Sequence, residues 1–167
     1  RMIAQFLGLR YHGVPLTDNF ALDRDTLLAA IKAEQPALVF LAQPNNPTGN
    51  VFDQSVVEAV IEATPGLVVI DEAYLAFTDA NALPWLDRYP NVLVMRTLSK
   101  VGLAGLRLGF LAGRPEWINE IDKLRLPYNI NVLTQASAEF ALAHYEVFRE
   151  QTELLRRERQ RLTEQLQ

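Results

Sequence analysis

A small set of side chains in this sequence can do chemistry together if folding brings them to one place. Lys100 lies in the run Arg96-Thr97-Leu98-Ser99-Lys100-Val101-Gly102, directly after the apolar stretch Val92-Leu93-Val94-Met95. An amine at the end of a strand can form a Schiff base with a carbonyl when burial and nearby positive charge lower its pKa. Thr97 and Ser99 place hydroxyls beside it, and Arg107 follows seven positions on. A guanidinium fork with hydroxyls is the residue set that holds a phosphate. Asn46 stands in Pro44-Asn45-Asn46-Pro47-Thr48-Gly49, and Asp71 and Tyr74 in Asp71-Glu72-Ala73-Tyr74. Each has a plainer reading as well. Lys100 can be a solvated surface lysine, and Asn46 part of an ordinary turn shaped by Pro47 and Gly49. Asp71 can cap a helix or share a metal with Glu72, and Tyr74 can be a core aromatic.

The elements around these residues favour convergence. The three polar clusters follow three apolar runs, at 37–42, 67–70 and 92–96. A helix capped by Asp23 runs to Lys32 and is stopped by Pro36. A second opens at Asp53 and ends at Pro65-Gly66. Helices alternating with short β-branched runs predict an α/β fold, a three-layer α/β/α arrangement around a mainly parallel sheet. Ligands of such sheets bind at the carboxyl ends of the strands. Asn46, Asp71, Tyr74 and Lys100 are therefore expected to meet in one crevice. The run 108–113 follows too closely for a helical crossover and is expected to be antiparallel. Asn81-Ala82-Leu83-Pro84 and Tyr89-Pro90-Asn91 read as loop. Pro115 opens a helix in its first turn. Asn131 is expected to cap one long helix bearing Leu133, Ala136, Phe140, Ala143, Val147 and Leu154.

The order N-N-P-T-G, D-E-A-Y, T-L-S-K and G-L-R-L-G resembles the fold-type I pyridoxal-phosphate enzymes. The Asn-Asn-Pro-Thr-Gly and Arg-Thr-Leu-Ser-Lys forms, with Pro127-Tyr128-Asn129, are most similar to the histidinol-phosphate aminotransferase branch. The resemblance implies that pyridoxal 5'-phosphate is the cofactor. It implies Lys100 as the Schiff-base lysine and proton-transfer base, and Asp71 as the partner of the ring nitrogen. Asn46 and Tyr74 would donate to the phenolic oxygen, and Ser99 and Arg107 would hold the phosphate with help from Thr97. Ala73 would lie beneath the ring, and Asn129 would face the substrate. The arginine stands eight residues after the lysine in many relatives and seven here, which shifts the path expected for Val101 to Gly105. The implied reaction is amino transfer between L-histidinol phosphate and 2-oxoglutarate by a homodimer. Threonine-phosphate decarboxylase, aromatic aminotransferase and a cofactor-sensing regulator domain are the alternatives of similar fold.

Composition bounds the rest. The chain has 167 residues, 49% of them hydrophobic, enough for one sizeable core. The net charge is −4, and no basic stripe invites nucleic acid. Cysteine is absent, so no disulfide framework or thiolate metal site exists, consistent with a cytoplasmic setting. His12 and His144 have no metal-ligand spacing and read as surface residues, and Trp85 and Trp117 as packing anchors. Gly102, Gly105 and Gly109 lack dinucleotide-fingerprint spacing. No apolar run is long enough to span a membrane. Residues 2–8 resemble the end of an amphipathic helix, and the final charged helix lacks a stop signal. The expectation is that residues 1–167 form the central part of a cofactor-binding large domain, without an upstream segment and a C-terminal small domain.

Overall fold

The computed structural model describes residues 1–166. A short helix, α1 (Met2–Phe6), precedes α2 (Arg24–Glu34). The sheet that follows has four strands in the order β1 (Leu38–Ala42), β2 (Leu67–Asp71), β3 (Val92–Thr97) and β4 (Gly109–Ala112). β1, β2 and β3 are parallel, and β4 runs antiparallel to β3, as the short connection predicts. α3 (Gln54–Ala63) links β1 to β2, and α4 (Trp85–Arg88) lies between β2 and β3. α5 (Pro115–Asp122), α6 (Val132–Ala143) and α7 (Tyr145–Leu166) complete the order.

Local signals in the sequence set the helix boundaries. Asp23 accepts the Thr26 N–H at 2.7 Å, and Asp53 accepts the Ser55 N–H at 2.8 Å. Each satisfies a donor that the first helical turn leaves unpaired. Pro115 occupies the first turn of α5. Gly66 makes the turn into β2: a Cβ there would stand 2.1 Å from the carbonyl oxygen of Ala37. Only glycine lets the two backbones approach so closely.

Alternation along the strands divides the sheet into two faces. On one face Leu41, Val68, Ile70, Val92 and Val94 pack against Leu27 and Ile31 of α2 and Val57, Val60 and Ile61 of α3. Burying each such side chain contributes about 1.5–3 kcal/mol, so this face supplies most of the sheet's adhesion. On the other face Val69 and Leu93 are buried, whereas Leu38 and Phe40 of β1 are 47% and 62% exposed. α5 flanks the far side, where Trp117 Nε1 donates to the Pro90 carbonyl at 3.0 Å. Cover on this face reaches the middle strands and stops short of the edge strand.

One element was not foreseen and one expectation needs correction. Between the two loop segments Trp85 starts α4 and is buried in the core. The long helix after Asn131 is two helices. Asn131 does cap α6, accepting the Thr134 N–H at 2.9 Å. The chain then breaks at His144, whose ring stacks on Phe140 at 4.3 Å while Nδ1 lies 2.9 Å from the Phe140 carbonyl. The Phe140 carbonyl also accepts the His144 N–H at 3.2 Å, so backbone and ring share one acceptor at the end of α6. Leu133, Phe140, Val147 and Leu154 remain exposed, and the buried residues of α6 are Ala138 and Ala141. Among the described residues no helix is long and apolar enough to cross a membrane.

Candidate active site

The carboxyl ends of the three parallel strands bring together the residues picked out by type and spacing. β1 runs into a turn held by side chains: the Asn45 amide donates to Thr48 Oγ1 at 2.7 Å, and Gly49 N–H donates to the Asn45 carbonyl at 2.7 Å. Gly49 takes a positive φ of 73° there. The turn presents Asn46, whose Nδ2 lies 3.4 Å from the Tyr74 hydroxyl, across 28 residues of sequence. β2 ends at Asp71, and one of its carboxylate oxygens accepts the Ala73 N–H at 2.9 Å. That bond fixes the carboxylate and starts the turn that carries Tyr74.

β3 delivers Thr97, Ser99 and Lys100. The chain leaves the strand in a single 3-10 turn, Ser99–Val101, closed by Gly102 at φ 99°. The Lys100 ammonium stands over the Tyr74 ring, 5.1 Å from its centroid. Lys100 is exposed, so the burial expected around its amine is not provided by the described residues. Thr97 Oγ1 donates to the Leu108 carbonyl and accepts the Ser99 N–H, both at 3.1 Å. Its hydroxyl is thus engaged in shaping the loop. Arg107 adopts the left-handed conformation at φ 50°, which non-glycine residues enter at a cost. From there its Nη1 approaches Ser99 Oγ at 3.5 Å and donates to the Ala104 carbonyl at 3.3 Å. The seven-residue spacing from the lysine therefore still returns the guanidinium to the serine. A cleft of about 450 Å³ is lined by Asp71, Ala73, Thr97, Ser99 and Arg107 among others.

This donor set fits pyridoxal phosphate. The cleft has an anion-binding end at Arg107 and Ser99 and a carboxylate at Asp71, with Asn46, Tyr74 and Lys100 grouped at the same strand ends. A phosphate, a ring nitrogen, a phenolic oxygen and an aldehyde each find a side chain of matching chemistry. Asn129, outside these contacts, is exposed on the stretch before α6.

The alternative of a metal shared by Asp71 and Glu72 fails on geometry. Neighbours on extended chain point to opposite faces, and Glu72 turns into the protein. Its side chain is only 1% exposed; one oxygen accepts the Ala82 N–H at 2.6 Å and the other pairs with Arg96 at 2.7 Å. Arg96 also donates to Asn81 Oδ1 at 2.8 Å. Gln43 lies on the same rung of the sheet, its Oε1 buried without a partner among the described residues. Residue type and spacing alone do not single out Glu72 and Arg96. The period-two alternation does carry the signal: if Asp71 and Thr97 face the cleft, their neighbours Glu72 and Arg96 must face away together.

The class I and II aminotransferase family model matches residues 1–167. The chain belongs to this family. It is 54% identical over its whole length to histidinol-phosphate aminotransferase 2 of Nitrosococcus oceani, covering 46% of that protein. It is 53% identical to the histidinol-phosphate aminotransferase of Chromobacterium violaceum, over 98% of this chain and 46% of the other. Among solved structures it is similar to the histidinol-phosphate aminotransferase of Sinorhizobium meliloti in complex with pyridoxal-5'-phosphate. That match has a TM-score of 0.81 and 37% identity, over 93% of this chain and 44% of that one. The aminotransferase chain thus spans about half the length of the curated relatives it matches. The strand ends that gather Asn46, Asp71, Tyr74 and Lys100 are part of the matched length.

Proposed function

We propose that these 167 residues are the central part of the cofactor-binding domain of a pyridoxal-phosphate aminotransferase. Its reaction moves the amino group of L-histidinol phosphate to 2-oxoglutarate, giving imidazole acetol phosphate and glutamate in histidine biosynthesis. The observation that carries this reading is the meeting of Lys100, Tyr74 and Asn46 beside Asp71 at the ends of three parallel strands. The relatives named above support the substrate. The rest of the length found in those relatives would supply the remainder of the large domain and a small domain. A cytoplasmic homodimer is part of the same proposal.

Bound pyridoxal phosphate would supply an aldehyde for covalent attachment and a ring that accepts electrons. The chain's own residues do the rest. Arg107 and Ser99 bind the phosphate, the guanidinium by charge and the hydroxyl by hydrogen bonding. Asp71 holds a proton on the ring nitrogen through a charge-assisted bond, which keeps the ring electron-poor. Asn46 and Tyr74 donate to the phenolic oxygen and favour its deprotonated form. Lys100 would contribute the amine that links the cofactor, and its Nζ, once released, would take the proton from the substrate carbon bearing the amine and return it to the cofactor carbon that was the aldehyde. Attachment in advance removes the entropy of bringing amine and cofactor together.

The experiment is a substrate comparison on the complete protein. With pyridoxal phosphate and 2-oxoglutarate, L-histidinol phosphate should give glutamate, and O-phospho-L-threonine should release no carbon dioxide. Decarboxylation of the second substrate, with no glutamate from the first, would move the assignment to the decarboxylase alternative.

A further inference from the structure

The Glu72–Arg96 pair lies one rung beyond the residues that reach the cleft. Asp71 pairs with Met95, and the Glu72 N–H donates to the Met95 carbonyl at 2.8 Å. Glu72 and Arg96 therefore meet side by side on the sheet face away from Asp71. Two charges in this position are expensive to desolvate, and apolar residues of similar size commonly hold a fold equally well. The pair does something apolar residues cannot. Glu72 bonds the Ala82 N–H in the interior, and Arg96 bonds Asn81 at the surface, so the segment from 72 to 82 is closed into a loop by two polar contacts. That loop carries Tyr74. The same arginine sits on β3, four residues before Lys100. The pair thus ties the Tyr74 loop to the strand that delivers the lysine.

We infer that Glu72 and Arg96 are positioning residues for the reaction: they fix Tyr74 relative to Lys100 and hold its hydroxyl toward Asn46. This rests on the aminotransferase reading above. Arginine is needed because its planar fork reaches Glu72 and Asn81 at once, from Nε and Nη2. A lysine presents one ammonium group and no fork. Asn46 faces the Tyr74 hydroxyl, Lys100 stands over its ring, and Phe77 lies beside the ring at 6.5 Å between centroids. Loss of alignment removes a donor from the phenolic oxygen, so the pH midpoint of the bound cofactor's visible band moves up.

The test uses the complete protein loaded with pyridoxal phosphate. The variants are Arg96→Lys, Glu72→Gln, the apolar swap Glu72→Leu with Arg96→Met, and each of these combined with Tyr74→Phe. In the apolar swap the unfolding temperature of the cofactor-free protein should fall only modestly, by what the unpaired Ala82 N–H costs. Its kcat should fall on the order of 10- to 100-fold, as expected for misplacement of a reacting group, with KM for the amino donor little changed. The midpoint of the visible band, read without substrate, should rise. Combined with Tyr74→Phe, the losses should overlap rather than multiply, since both act through one hydroxyl. If the apolar swap does not fold, Arg96→Lys decides: lowered kcat with a raised midpoint supports the inference, and wild-type values of both overturn it. Losses that multiply with Tyr74→Phe also overturn it, because the pair would then act elsewhere. A wild-type protein with no cofactor band would instead remove the aminotransferase reading itself.

Discussion

Lys100 and Asp71 stand at the ends of neighbouring strands, and the duties proposed for them should part on substitution. Lys100→Ala is expected to abolish the covalent link while the phosphate contacts of Ser99 and Arg107 still admit cofactor. Borohydride reduction followed by peptide mass mapping reads this directly, and an adduct on Lys32 or Lys123 would sink the assignment. Asp71→Ala should bind cofactor yet turn over slowly, because electrostatic terms of this kind commonly supply about 3 kcal/mol or more of barrier reduction. Turnover near wild type with cofactor confirmed in the site would remove the role. At this scale the sequence was readable wherever a motif surrounds the residue, as for Asn46, Asp71, Ser99 and Lys100. Residue type gave no sign of Arg96, which lies inside the same motif but faces the other way; only the strand's alternation marks it. It also gave no sign that Thr97 spends its hydroxyl on the Leu108 carbonyl and the Ser99 N–H.

The elements that deliver these side chains depend on one packed face and on caps. Ile61 of α3 is 1% exposed within the core. Ile61→Ala should therefore destabilise the protein by about 2–5 kcal/mol, measured by denaturant unfolding. A cost below about 1 kcal/mol would mean that α3 does not seal this face. Asp23 and Asp53 are held below the ordinary aspartate range, each chiefly by a hydrogen bond from the residue it caps, Thr26 or Ser55. Their folded pKa values are depressed, so their contribution is present above the unfolded aspartate pKa. It is lost as pH falls through the folded value. Stability should drop on acidification below about pH 4. Asp53→Asn keeps a cap and should flatten part of that slope; an unchanged acid limb would show that the cap charge carries none of it. Strands and caps were legible because they are local: alternation, Asp before a helix, Pro-Gly after one. The break at His144 was not, since no glycine or proline marks it in the sequence. α4 was missed because four residues are too few to show a period.

The whole molecule extends beyond the logic of its cleft. The chain spans about half the length of its relatives, and Leu38 and Phe40 stand bare on the face of β1. The 167-residue chain alone, given pyridoxal phosphate, L-histidinol phosphate and 2-oxoglutarate, is expected to form no glutamate above background. A rate like that of the complete protein would mean the active site needs nothing more than these strand ends. Fold class and strand direction were legible at this scale because connection lengths constrain them; which surfaces stay uncovered was not, since that depends on chain the spacing cannot describe. The sheet has one further property. Its spatial order is its chain order, β1 beside β2 beside β3 beside β4. Each strand leaving the ribosome finds its neighbour already made, and no strand has to wait for a later one to separate it from its predecessor. Pairing each strand with its predecessor keeps the sequence separations as small as parallel crossovers allow, so the sheet can assemble stepwise during synthesis. Lys100 and Arg107 emerge only after the strands leading to Asn46 and Asp71, so the nascent chain can lay down the scaffold before the residues proposed to attach and anchor the cofactor arrive.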